Sequence, residues 1–164
     1  MKTSIRCVLM AAAITTASCN SIPGNDKNQA PIETIEQNTV TVFTVDGASC
    51  KGKVSTQYFG SNKETDNFSV LCQQDEPLVL LQITFANEKD AAKSGLTAKG
   101  FDGYKVNEGQ FDLVLTPAGS SENFVATDKS GGSVKLLQHT IVISNMKLFN
   151  REGKEKLVNG TIEY

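Results

Sequence analysis

TIVISNMKLFNREGKEKLVNGTIEY, residues 140–164, reads as two strands around a turn, and it sets the reading of the whole chain. Ile141 to Phe149 is rich in β-branched and large apolar residues, Asn150-Arg151-Glu152-Gly153 is a turn signal, and Lys156 to Tyr164 resumes the alternation. In the last run Val158, Ile162 and Tyr164 share one face, with Gly160 between them, while Asn159, Thr161 and Glu163 share the other. A period of two is the mark of a half-buried strand, because successive side chains leave opposite faces of a sheet.

The same grammar extends toward the N-terminus. Ser133 to Gln138, Phe124 to Thr127, and Phe111, Leu113 and Leu115 continue the series. Leu78 to Phe85 places Val79, Leu81, Ile83 and Phe85 on one face, and Phe68 to Cys72 precedes it. Val54, Thr56 and Tyr58 alternate with polar neighbours, and Thr39 to Val45 ends at the turn dipeptide Asp46-Gly47. Asn87 to Ser94, closed by Gly95, is the one stretch that suits a helix, of one or two turns. About nine or ten short strands in roughly 125 residues predict an all-β fold, an antiparallel β-sandwich or barrel. Parallel α/β architecture is excluded, since no crossover helices exist to join parallel strands.

The 164 residues carry a formal charge of −2, with 16 Lys and Arg scattered among 18 Asp and Glu. No clustered basic face is available for counterion release, so no nucleic-acid partner is expected. One domain of this size buries enough surface to fold without a metal.

MKTSIRCVLMAAAITTASC, residues 1–19, begins with Lys2 and Arg6 and continues through a short apolar core from Val8 to Ile14. That core is too short to span a bilayer, which takes about 20 residues, so the segment reads as a secretory signal. Its end, Thr15-Thr16-Ala17-Ser18-Cys19, resembles the bacterial lipoprotein signal, in which small residues precede a cysteine that is acylated before cleavage. Residues 1–18 are then a signal peptide, Cys19 is the lipidation site, and residues 19–38, polar and containing Pro23, Gly24 and Pro31, form a flexible tether. Residues 39–164 form the single β domain. Loss of Lys2 and Arg6 leaves 14 basic against 18 acidic residues, a charge of −4, with Arg151 as the sole arginine.

Cys7 departs with the signal and Cys19 takes the lipid, so Cys50 and Cys72 remain as an even pair. In an oxidising envelope compartment such a pair is expected to form a disulfide, worth about 3 kcal/mol for a loop of about 20 residues. Neither has CxxC spacing.

The lipoprotein signal, Val45-Asp46-Gly47, Gly103-Tyr104-Lys105-Val106, Ser130-Gly131-Gly132-Ser133-Val134 and the closing Val158-Asn159-Gly160-Thr161-Ile162-Glu163-Tyr164 together resemble small envelope lipoproteins of unknown function common in Bacteroides-type Gram-negative bacteria. The resemblance implies an all-β envelope domain and supplies no catalytic residues to carry over.

Catalytic chemistry finds little footing. The only histidine, His139, has no Gly-x-Ser-x-Gly elbow beside it and reads as a strand-edge imidazole. Asp75-Glu76, Glu88 with Asp90, and Asp102 lie beside turns, where solvated acids are ordinary. Gly100-Phe101-Asp102-Gly103-Tyr104 reads as a turn entering a strand, with Phe101 and Tyr104 in the core. Asn67-Phe68-Ser69 and Asn159-Gly160-Thr161 fit the glycosylation sequon, which has no meaning in a bacterial lipoprotein.

The expectation is therefore a non-enzymatic cell-envelope lipoprotein, a monomeric binding or structural module without cofactor, metal or catalytic residues. It is held to the membrane, the outer membrane by preference, through acyl chains on Cys19, with a protein or a glycan as partner. Two alternatives are a small inhibitor that neutralises a secreted enzyme and a barrel that carries a lipophilic ligand.

Overall fold

The computed structural model describes residues 33–103 and 105–164, with side-chain surroundings from residue 42 onward. The signal peptide, Cys19, most of the tether and Tyr104 lie outside the described residues. Ten strands and one short helix follow in order: β1 Glu33–Val45, β2 Ala48–Tyr58, β3 Phe68–Gln74, β4 Val79–Phe85, α1 Glu88–Ala91, β5 Thr97–Ala98, β6 Gln110–Thr116, β7 Phe124–Val125, β8 Ser133–Leu137, β9 Thr140–Phe149 and β10 Glu155–Glu163. The paired segment begins six residues before Thr39, reaching back into the stretch read as tether, across a register shift between Gln37 and Val40.

Between sandwich and barrel, the fold is a barrel. Eight strands form a closed antiparallel ring in the order β10-β1-β2-β3-β4-β6-β7-β9, and β9 pairs back to β10. Two outer strands complete the sheet, β5 parallel to β6 and β8 antiparallel to β9. Closure leaves the ring without an edge.

The alternation seen in the sequence is the inside-outside alternation of this ring. Val79, Leu81, Ile83 and Phe85 of β4, Phe111, Leu113 and Leu115 of β6, and Val158 and Ile162 of β10 are all buried. With Phe43, Phe68 and Leu148 they fill the interior with side chains.

Two devices let so narrow a ring close. Asp46 and Gly47 both have positive φ, 52° and 82°, which joins β1 to β2 by the tight turn that twisted hairpins require. In β9 one extra residue bulges opposite β10: Val158 faces Met146 but Gly160 faces Ile143. Asn145 takes φ 49° there, and its N–H donates to Asn159 Oδ1 at 2.6 Å. On its other side β10 pairs with β1, where Gly160 lies opposite Phe43, and a Cβ on Gly160 would stand 2.7 Å from Phe43 Cβ.

The helix expected at 87–94 is the single turn α1, capped by Asn87, whose Oδ1 accepts from Asp90 N–H at 2.8 Å. It is tied to its surroundings by the Tyr58 hydroxyl, which donates to Glu88 at 2.8 Å, and by buried Asp90, which accepts from Gly109 N–H at 2.8 Å.

Cys50 and Cys72, expected to bridge, are both buried free thiols. Cys72 lies opposite Val54, four residues from Cys50 along β2. At about 3.3 Å per residue that is roughly 13 Å along the strand, well beyond the reach of a disulfide. Gly52 makes the room that the Cys72 sulfur occupies.

Candidate functional site

The ring is not closed equally along its length. β6 and β9 are joined at one end by β7, through Val114 with Val125, Leu115 with Phe124, and Val125 with Phe149. The following loop continues the join, since Ala126 N–H donates to Leu113 O at 2.9 Å and Lys147 N–H donates to Ser130 O at 3.1 Å. Then Gly131 and Gly132, with φ 59° and 67°, swing the chain outward into β8. Gly132 is pressed against the Ser144 carbonyl, where no side chain would fit. Beyond this point β6 keeps β5 as neighbour and β9 keeps β8, so the seam splays.

The splayed end holds a cleft of about 560 Å³. Its floor is Phe111 and Met146, one wall is Leu96 and Ala98, and the other is Val134 to Leu137. Lys93, Asp128 and Lys135 stand around it. Leu137, 61% exposed, projects beside it. An apolar floor with few polar groups at the rim is the usual make-up of a recognition cleft.

A second cleft, of about 520 Å³, lies on the outer face of β6. Lys99 and Asp112 pair there at 3.6 Å; the Lys99 side chain is only 6% exposed, and its ammonium also donates to Gly103 O at 2.7 Å. Asp112 Oδ1 is buried without a hydrogen-bond partner. Burial pushes the Asp112 carboxyl above the usual carboxylate range, while Lys99 pulls the other way. Phe101, expected in the core, is instead 38% exposed with the Arg151 guanidinium 5.6 Å from its ring centre. Tyr104 lies outside the described residues, and residues 105–109 form no strand before β6 begins at Gln110. Among the described residues the anchor of this segment is Val106, which the Asn67 side chain captures from both sides.

The other residues singled out in the sequence lie apart. His139 is exposed in the β8–β9 turn, with its ring edge-on to Tyr164 at 5.7 Å. Asp75 accepts from Gln73 at 2.8 Å and pairs with Lys53 at 3.6 Å. Glu88 is held by Tyr58, and Asp102 is exposed. Among the described residues no three His, Cys, Asp or Glu side chains gather so as to hold a metal ion, and no helix is long and apolar enough to cross a membrane. Both sequon asparagines are structural, Asn67 as the clamp on Val106 and Asn159 as the partner of the β9 bulge.

Sequence patterning marked β8 as a strand but not the cleft beside it. The Gly131-Gly132 pair was the one available signal, because two consecutive glycines mark a place where the backbone turns sharply.

These features define a small closed β-barrel with a splayed seam. Compared with protein-family models, with curated proteins and with solved structures, the chain matches none.

Proposed function

We propose that the protein is a non-catalytic, lipid-anchored binding module of a bacterial cell envelope. The observation that carries the binding reading is a ring filled with side chains yet splayed at one seam, so that recognition has a surface cleft to use. The anchoring reading is supported by the signal ending at Cys19. Two or three acyl chains there make attachment stable, whereas a single chain gives only marginal binding. β1 begins at Glu33, so residues 20–32 supply the reach between lipid and barrel.

The carrier alternative needs space inside the ring, and Phe43, Leu81, Leu113 and Ile162, all fully buried, take that space. The inhibitor alternative is compatible with the seam, since an enzyme's exposed segment is one thing such a cleft could hold.

Metabolic labelling with a clickable fatty acid tests the anchor. Label on the wild-type chain, with no label and release from the membrane fraction for Cys19→Ala, is the expected outcome. An unlabelled wild type, or a Cys19→Ala chain that stays with the membrane, overturns the reading.

A further inference from the structure

The two walls of the seam are strand edges, and hydrogen-bond parity shows which residues face it. Tyr164 N–H donates to His139 O at 2.9 Å, so the odd-numbered residues of β9 up to the bulge pair with β10 and the even-numbered ones pair with β8. Leu137 is opposite Thr140, Lys135 opposite Val142 and Ser133 opposite Ser144, so these three use their backbone groups on β9. The N–H and C=O groups of Val134 and Leu136 therefore point into the seam. On the other wall Thr97 N–H donates to Gly109 O and Lys99 N–H to Phe111 O, which turns the backbone groups of Leu96 and Ala98 toward the seam. Among the described residues no strand pairs with either edge.

We infer that the seam takes one extended peptide strand from a protein partner, with apolar residues on its inner face and an acidic residue opposite Lys135. A cleft lined on both sides by backbone donors and acceptors fits a ligand that offers its own at strand spacing, as in recognition by strand addition. Val134 and Leu136 lie opposite Ile143 and Ile141, so their side chains share the core-facing side. Residues of the guest beside them drop onto Phe111 and Met146. The guest residue between them stands on the outer face next to Lys135, which is exposed.

That lysine also selects against another occupant. Two copies of the chain pairing β8 to β8 through Val134 and Leu136 would set Lys135 against Lys135, and like charges directly opposite destabilise a sheet. Residues 20–32, with Pro23 and Pro31, are poor material for an inserted strand.

This inference rests on the binding reading but not on the anchor, and its test leaves Cys19 untouched. The detergent-solubilised full chain is titrated with an end-capped heptapeptide carrying valine at odd positions, threonine at the second and sixth, and glutamate at the fourth. Amide exchange at Val134, Leu136, Leu96 and Ala98 is expected to slow about tenfold on saturation. Replacing the central glutamate by lysine weakens binding about fivefold, the upper range for one cross-strand pair. Lys135→Glu, a surface change, reverses that preference. Peptide binding that leaves those four amides unprotected, equal affinity for both peptides, or protection that appears with protein concentration alone overturns the inference. Fatty-acid labelling of the same preparation reads the anchor separately, so either result can fail without the other.

Discussion

The side-chain amide of Asn67 grips the backbone of Val106 from both sides, donating to its carbonyl at 2.9 Å and accepting from its N–H at 3.2 Å, as a neighbouring strand residue would. The same amide donates to Ala86 O at 3.0 Å. One polar side chain thus holds the irregular segment before β6 against the barrel, and buried Val106 depends on it.

Asn67→Ala is expected to cost about 2 kcal/mol, because it removes three hydrogen bonds and leaves backbone groups without partners. Urea unfolding measures the loss, and amide exchange at Val106 speeds up well beyond the global change. A cost within the range of an ordinary surface substitution counts against the clamp.

Lys99 and Asp112 form a largely desolvated pair, so truncating either one strands the other. Lys99→Met and Asp112→Leu are each expected to destabilise by about 1–3 kcal/mol, whereas the double variant costs less than the sum. The Asp112 carboxyl is raised by burial, so the folded state holds its proton more tightly than the unfolded chain. Its contribution to stability is therefore largest below the unfolded carboxylate pKa and declines as pH rises through the folded value. A double-mutant cycle by denaturation, repeated across that window, checks both statements.

Gly160→Ala places a methyl group against Phe43 Cβ, between paired backbones that cannot move aside independently. A loss of about 1–3 kcal/mol is expected, the range for overpacking a well-filled core. Phe43→Leu in the same chain would recover part of it only if the ring yields, since the contact is with Cβ. Thermal melts of the three proteins decide the matter.

Cys50 and Cys72 are expected to remain thiols in the oxidised protein. Burial pushes the Cys72 thiol up to about 12, with the charge of Cys50 adding a smaller upward push, and burial also raises Cys50. Alkylation at pH 8 should leave both unmodified in the native protein and modify both after unfolding without reductant. Recovery of a linked Cys50–Cys72 peptide by mass spectrometry would contradict the geometry.

Asp46 ties the first turn to β10, accepting from Lys156 at 2.6 Å and from Leu157 N–H at 2.9 Å. Burial pushes its carboxyl up, but these hydrogen bonds and the Lys156 charge outweigh that and leave it lowered. A depressed carboxylate adds stability above its unfolded pKa and loses it as pH falls through the folded value. The stability difference between wild type and Asp46→Asn should stay constant from neutral pH to about 5 and shrink below about pH 4.

The longer strands were legible because most alternate between a dry face and a wetter one, so Leu81, Ile83 and Phe85, or Val158 and Ile162, announce their direction without knowing their neighbours. Turn chemistry at Asp46-Gly47 is equally local and was equally plain. Phe101 misled because an aromatic residue between glycines looks the same whether the loop folds inward or, as here, outward beside Arg151. Cys50 and Cys72 are unbonded in the structure for a related reason: two cysteines count as a pair in sequence, but register sets them four positions apart.

The sequence by itself determined an all-β chain and the buried face of the alternating strands, since alternation and turn dipeptides are properties of neighbouring residues. Only the tertiary structure decided that the sheet closes as a ring of eight, that Asn67 and Val106 meet, and that β5 and β8 leave a seam between them. Those outcomes depend on register and curvature between strands far apart in the chain, and a period of two carries no information about which strand lies beside which.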